Sequence, residues 1–422
     1  MAVSVFFALL CLAGYSSGLQ LKIESQRNVR PRHELLRRGN MDGTVSLSNY
    51  ADLKYYTNLT LGGQLFTVMI DTGSSDLWVA GNVTDSIDTG TTSKISYAIG
   101  GAKGPIKTST LEFAGYTVQD QAFMQVTPDS DHPIGAGIIG LGPTSDSVVY
   151  FNLTTSVGYT VLDRIFLQNT STPNYLTVLL GRTQDPTDVF PGEISIGELL
   201  DGYSNVESEP KLEVTIVPDD ESIQQHFQIL LDEDGIIGPD GKPIPINTEA
   251  KQTSNSKQAT AVLDTGFSFS QVPKSVADAI YSGFSGAEYL NITGLGEVWI
   301  VPCDEEVNIT FKFSGDSYHI HPLDATMDPS LFDSPKIVNS KGQTSCLGAF
   351  QPFSFTPSVQ TYDMILGMSF LRNVYTVFNY GDFVADGNDT IIRGDPYVQL
   401  LSTTDPAEAH SDFVAARLSG LA

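Results

Sequence analysis

The chain has 422 residues, room for two or three domains at roughly 100–200 residues each. Hydrophobic residues make up 41% and charged residues 17%, so sizeable buried cores are available and wholesale disorder is excluded. With 23 Lys+Arg against 49 Asp+Glu, the formal charge of −26 leaves no basic footprint for nucleic acid or an anionic membrane surface.

The chain opens on an uncharged stretch, Met1 to Gly14, with the apolar run Val5 to Leu12 and then Ser16-Ser17-Gly18. This pattern predicts a secretory signal peptide over residues 1–18, although the usual positive n-region is missing. The run is shorter than the roughly 20 residues of a membrane span, so no membrane anchor is expected. Sequons at Asn58, Asn82, Asn152, Asn169, Asn291, Asn308 and Asn388 are glycosylation candidates and also point to export. Cys11 leaves with the signal, so Cys303 and Cys346 remain as a disulfide pair, worth roughly 3–4 kcal/mol.

Residues 19–38 are basic, with Lys22, Arg27, Arg30, Arg32, Arg37 and Arg38 against Glu24 and Glu34. The dibasic Arg37-Arg38 reads as a processing site that ends a propeptide. Its removal leaves 17 basic and 47 acidic residues. In strong acid the carboxylates are neutral and few cations remain to repel one another, so the body should tolerate acid.

From Gly39 onward, short alternating apolar runs are cut by Gly, Asn, Asp, Ser and Pro, as at Phe66 to Ile70, Glu193 to Ile196 and Asn308 to Phe313. The texture predicts a mainly antiparallel, all-β protein. Helices are expected only within Pro273 to Phe284, within Asp146 to Asn152, and after Asp405-Pro406. The informative feature is an internal repeat. Thr67-Val68-Met69-Ile70-Asp71-Thr72-Gly73 recurs as Thr260-Ala261-Val262-Leu263-Asp264-Thr265-Gly266, and each copy is followed by a second apolar strand ending in glycine, Gly137 to Gly142 and Met364 to Gly367. Two copies of one half imply two lobes about a pseudo-twofold axis, with Asp71 and Asp264 meeting at it.

Two carboxylates held within a few Å resist double ionisation and share one proton. The ionised one is suited to take a proton from a water between them, the protonated one to polarise a peptide carbonyl. In this the sequence resembles the pepsin-type aspartic protease family, most clearly over Phe66 to Ala80, and in flavour its secreted fungal members. The resemblance spans about Asp52 to Leu400 and implies a bilobal pepsin-like fold and endopeptidase activity in acid with no metal or other cofactor. It also implies a preference for apolar residues beside the cut bond.

On that resemblance Asp71 and Asp264 are the catalytic pair, supported by Thr72, Gly73, Ser74, Thr265 and Gly266. Ile95 to Gly100 resembles the flap that closes over substrate, with Tyr97 and Gly100 on it and Trp78 as buttress. Cys303 and Cys346 stand where the family's C-lobe disulfide falls. The expected division is an N-terminal lobe over 39–205, a C-terminal lobe over 206–401 and a polar tail over 402–422. Partners are protein or peptide substrates, and the chain is expected to act as a monomer.

Three features complicate the resemblance. Asp88-Thr89-Gly90 is a third Asp-Thr-Gly, but no apolar strand leads into it, so a solvated turn is expected there. Phe267 stands after the second motif where the family has Ser or Thr, with Ser268 one residue later, so Asp264 is expected to lack a supporting hydroxyl. The six histidines show no ligand spacing, and the acidic runs Asp219-Asp220-Glu221 and Asp232-Glu233-Asp234 read as solvated loops, either of which could rim the cleft. The alternative is a catalytically silent secreted binding or inhibitor protein on the same scaffold. Loss of Asp71, Asp264 or Gly266 would mark it; all three are present, and Phe267 alone speaks for it. A glycosidase also uses two carboxylates, but nothing in the repeat resembles one.

Overall fold

The computed structural model describes residues 43–419, apart from Ile99, 169–172, 184, 187–189, 218–224, 251–252, 293–294, 333–335, 354–360 and 386–390. The expected signal peptide and propeptide, Asn169, Asn388 and Asp219-Asp220-Glu221 lie outside the described residues.

Strands predominate, and the internal repeat appears as one arrangement built twice. In the first half the strand Gln64–Asp71 runs parallel to Ala136–Gly140, which is antiparallel to Leu77–Ala80. In the second half Thr260–Leu263 runs parallel to Met364–Leu366, which is antiparallel to Ser270–Val272. The parallel pairs place Asp71 opposite Gly140 and Leu263 opposite Leu366. Thr260–Leu263 is buried throughout and reads as one continuous apolar run, whereas Thr67 to Ile70 buries Val68 and Ile70, leaves Met69 half-buried and exposes Thr67.

The first set belongs to an eight-stranded sheet and the second to a five-stranded one. A further sheet draws strands from both halves, in the order Thr44–Ser46, Gly192–Ile196, Tyr175–Leu180, Val374–Asn379, Tyr397–Ser402 and Leu212–Glu213. Tyr175–Leu180 pairs directly with Val374–Asn379, so the two halves share backbone hydrogen bonds. Phe166 and Phe227 both pack on Tyr380, at 5.4 and 4.9 Å between ring centroids, carrying one apolar core across the junction. The expected boundary near 205 falls in the helical turn Ser204–Ser208, between two strands of the shared sheet.

The helices Val148–Leu153, Lys274–Tyr281 and Pro406–Phe413 lie where the sequence predicts helix. Val161–Gln168, which buries Val161, Leu162, Ile165 and Phe166, and the short helices Pro322–Ala325 and Met368–Leu371 fall outside the expected stretches. Pro406–Phe413 is capped by Asp405, whose Oδ1 accepts from Ala407 N–H at 2.8 Å and Glu408 N–H at 3.1 Å. This tail packs onto the second half through the buried Ala409 and Phe413, an apolar contact that the polar composition of the tail conceals. Cys303 and Cys346 form a disulfide that closes a separation of 43 residues beside the pairing of Gly296–Pro302 with Ser345–Gly348.

Candidate active site

Asp71 ends the strand Gln64–Asp71, and Asp264 follows Thr260–Leu263, so two strands deliver their carboxylates from opposite halves. Both aspartates are 6% exposed, and their side chains lie within hydrogen-bonding reach of each other. The turns beneath them are locked reciprocally. Thr72 N–H donates to Thr265 Oγ1, and Thr265 N–H donates to Thr72 Oγ1, each at 3.0 Å. The same hydroxyls donate onward, Thr72 to the Leu263 carbonyl at 2.9 Å and Thr265 to that of Ile70 at 3.2 Å.

The glycines are required by the opposite carboxylate. A Cβ on Gly73 would stand 2.1 Å from Asp264 Oδ2, and one on Gly266 would stand 2.4 Å from Asp71 Oδ1. Both glycines also donate backwards, Gly73 N–H to Asp71 Oδ1 at 3.0 Å and Gly266 N–H to Asp264 Oδ1 at 2.6 Å.

The two acids are not equivalent. Burial raises both, but Ser74 Oγ donates to Asp71 Oδ2 at 2.6 Å and restrains that rise. Asp264 is pushed well above the carboxylate range, first by burial and then by the charge on Asp71. Ser268 does not replace the missing hydroxyl, because its Oγ donates to the Leu53 carbonyl at 2.5 Å. The ring of Phe267 packs with Val262, Tyr362 and Ile365. The Ser74 donor thus favours the charge on Asp71 and leaves the shared proton to Asp264 as the favoured arrangement.

Above the pair, the strands Ile87–Ser96 and Gly101–Phe113 form the expected hairpin, closed by Tyr97 N–H donating to the Gly100 carbonyl at 3.1 Å. Gly100 has φ +78°, a left-handed turn position that suits glycine. Trp78 Nε1 donates to Tyr97 Oη at 2.9 Å. Burial, then the charges of Asp71 and Asp76, push the Tyr97 phenol well above its ordinary value, so it stays protonated, within reach of Ser74.

Asp88-Thr89-Gly90 lies far from this arrangement in character. It is an exposed bulge within the strand Ile87–Ser96 rather than the expected turn, and Asp88 Oδ1 accepts only locally, from Gly90 N–H at 2.8 Å. Asn58, Asn82, Asn152, Asn291 and Asn308 are all exposed.

Several groups near the pair had no signal in the sequence. Asp76 is buried and accepts from Ser147 Oγ, Val148 N–H and Val149 N–H at 2.6, 2.9 and 3.0 Å, anchoring the helix Val148–Leu153 to the first aspartate loop. Asp146 approaches Ser75 Oγ at 3.5 Å and His226 Nδ1 at 3.7 Å, reaching from the first half to the second. Burial pushes His226 down to about 4, and burial with the charges of Asp76 and Asp71 pushes Asp146 well up. A capping serine before Val148 is the only one of these with a local sequence signature.

Two carboxylates at the meeting point of two repeats are what general acid–base hydrolysis needs. The profile of the family described as "Eukaryotic aspartyl protease" matches residues 54–384. The chain belongs to the eukaryotic aspartyl protease family. Among relatives of this aspartic-type peptidase, Major aspartyl peptidase 1 of Cryptococcus neoformans var. grubii is 30% identical over 366 residues, 80% of this chain and 69% of that protein. Vacuolar protease A of Aspergillus fumigatus is 25% identical over 86% of this chain and 83% of that protein. The crystal structure of an aspartic proteinase from Irpex lacteus superposes with a TM-score of 0.64, covering 87% of this chain and 99% of that one at 18% identity, a likeness of fold.

Proposed function

We propose that the protein is a secreted, acid-active endopeptidase in which Asp71 and Asp264 are the catalytic pair. The observation that supports this most is the facing of each carboxylate onto the glycine of the other motif, with Asp71 bonded to Ser74 and Asp264 without such a partner. A water between the two gives a proton to the Asp71 carboxylate as its oxygen attacks the peptide carbonyl carbon. Asp264 gives its proton to the carbonyl oxygen. Collapse of the diol breaks the C–N bond: one diol hydroxyl returns its proton to Asp264 as the carbonyl re-forms, and the proton held on Asp71 passes to the leaving amine. Thr72 and Thr265 fix the two loops, and the hairpin with Tyr97 and Gly100, braced by Trp78, covers a substrate strand with apolar residues beside the cut bond.

Residues 1–18 act in this reading as the signal peptide and 19–38 as the propeptide, leaving lobes over 39–205 and 206–401 and the tail 402–422. Exposed sequons at Asn58, Asn82, Asn152, Asn291 and Asn308 suit passage through the secretory route. The mature protein acts as a monomer without a membrane anchor. The test is cleavage of denatured haemoglobin between about pH 2.5 and 7 by protein collected from the medium, with and without pepstatin. Pepstatin-sensitive cleavage confined to acid supports the reading. Correctly processed protein that cleaves nothing at any pH refutes it in favour of a silent binding protein.

A further inference from the structure

The loop 127–135 connects the strands Tyr116–Val126 and Ala136–Gly140 and carries His132 to the hairpin beside its turn. Both ring nitrogens of His132 face acceptors. Nδ1 lies 2.9 Å from Asp129 Oδ1, and Nε2 lies 2.9 Å from the carbonyl of Gly101, the first residue of the return strand. The ring also meets Trp78 edge to face, with centroids 5.4 Å apart, and Trp78 holds Tyr97. One imidazole thus touches the hairpin at its return strand and the tryptophan that braces its tip.

A neutral imidazole carries a single N–H. Asp129 Oδ1 already accepts from the backbone N–H groups of Asp131 and His132, at 2.8 and 2.7 Å, and a carbonyl donates nothing. Only the imidazolium makes both contacts. Slight burial raises Asp129, but the hydrogen bonds from His132 and Asp131 outweigh it and hold the carboxyl below its ordinary range, which favours its acceptor form. The other groups about the ring leave this picture unchanged. Tyr97 is a neutral phenol, Trp78 and Gly101 do not titrate, and Asp131 and the exposed Lys103 lie on the flanking loop and return strand.

We propose that His132 is a positioning residue for the flap, holding the hairpin in its substrate-binding position while the imidazole is protonated and releasing one anchor when it is not. This builds on the endopeptidase reading, because it assigns the hairpin to substrate. It confines tight binding to acid by a route separate from the shared proton of the aspartates.

The experiment compares the processed wild type with His132→Phe and Asp129→Asn. Phenylalanine keeps a ring against Trp78 and removes both hydrogen bonds. Asparagine keeps an acceptor oxygen and removes the charge. In acid, His132→Phe should raise KM for a peptide substrate about 5-fold with kcat within about 2-fold, the size expected for one modest hydrogen bond. The KM ratio of variant to wild type should fall toward unity as the pH rises, and Asp129→Asn should raise KM in acid in the same direction by a smaller factor. A KM ratio that is unity throughout, or constant with pH, overturns the proposal in favour of no role or a merely structural one. A second readout is independent of catalysis. An imidazolium quenches tryptophan emission, so the emission difference between wild type and His132→Phe should change with pH. A difference that does not change with pH overturns the proposal. Absence of cleavage with the emission change intact would instead count against the endopeptidase reading.

Discussion

Thr72 and Thr265 exchange a pair of equal hydrogen bonds across the junction of the two halves, each backbone N–H donating to the other's hydroxyl at 3.0 Å. Each threonine is fully buried, and each hydroxyl also donates to the strand behind the opposite aspartate. Thr265→Val keeps the shape and removes both roles. It should lower stability by about 1–3 kcal/mol by leaving the Thr72 N–H and the Ile70 carbonyl unpaired. It should also lower kcat by about 10- to 100-fold by loosening the alignment of the carboxylates. Thermal unfolding and steady-state kinetics on one preparation check both.

The asymmetry between Ser74 and Phe267 makes a second prediction. Phe267→Thr should place a donor beside Asp264 and stabilise its ionised form. The proton then leaves Asp264 at lower pH, so the alkaline limb of the pH–rate profile should move to lower pH by up to about one unit. A pH–kcat/KM profile measures it, and an unmoved limb would mean that the hydroxyl does not reach Asp264.

Four carboxyls near the site, Asp71, Asp76, Asp146 and Asp264, are raised by burial. A raised acid holds its proton more tightly in the folded chain than in the unfolded one. Below about pH 4 both states are protonated and the penalty is absent; it grows as the pH climbs through the folded-state values. Unfolding temperature should therefore fall from mild acid toward neutrality. Asp146→Asn should flatten that fall, which calorimetry across pH would register.

Asp324 works in the opposite sense. Burial alone would raise it, but it accepts from Arg182 Nε and Arg372 Nε, each at 2.5 Å, and is held below the ordinary range. Its contribution is present above about pH 4 and is lost as the pH falls through its lowered folded-state value. Arg372 also donates to the Asp52 carbonyl at 2.8 Å, so the cluster ties both halves. Asp324→Ala leaves the buried Arg372 guanidinium without its carboxylate, removes one of several partners from the half-buried Arg182, and should cost about 3–5 kcal/mol, seen in denaturant unfolding.

The repeat was readable because two short apolar runs, Val68 to Ile70 and Ala261 to Leu263, each end in Asp-Thr-Gly and so mark both strand ends and both carboxylates. Trp78 and Tyr97 were readable only through resemblance, since nothing local predicts that an indole and a phenol 19 positions apart share a hydrogen bond. His132 and Asp129 sit in an irregular loop, and Asp146 and His226 come from different halves, so no period or spacing connects them. The Asp324 cluster was hidden for the same reason, its two arginines lying 142 and 48 positions away. Asp88 shows the converse, a matching tripeptide without the strand that gives it meaning.

The most direct test of the account is the Asp264→Asn protein, secreted, processed and compared with wild type on a peptide substrate in acid. Asparagine preserves the shape of the side chain and the bond from Gly266 while removing the proton that Asp264 supplies. The account predicts a folded protein whose kcat is lower by at least about 1000-fold. A variant that keeps activity within about 10-fold of wild type would contradict the assignment of the catalytic pair.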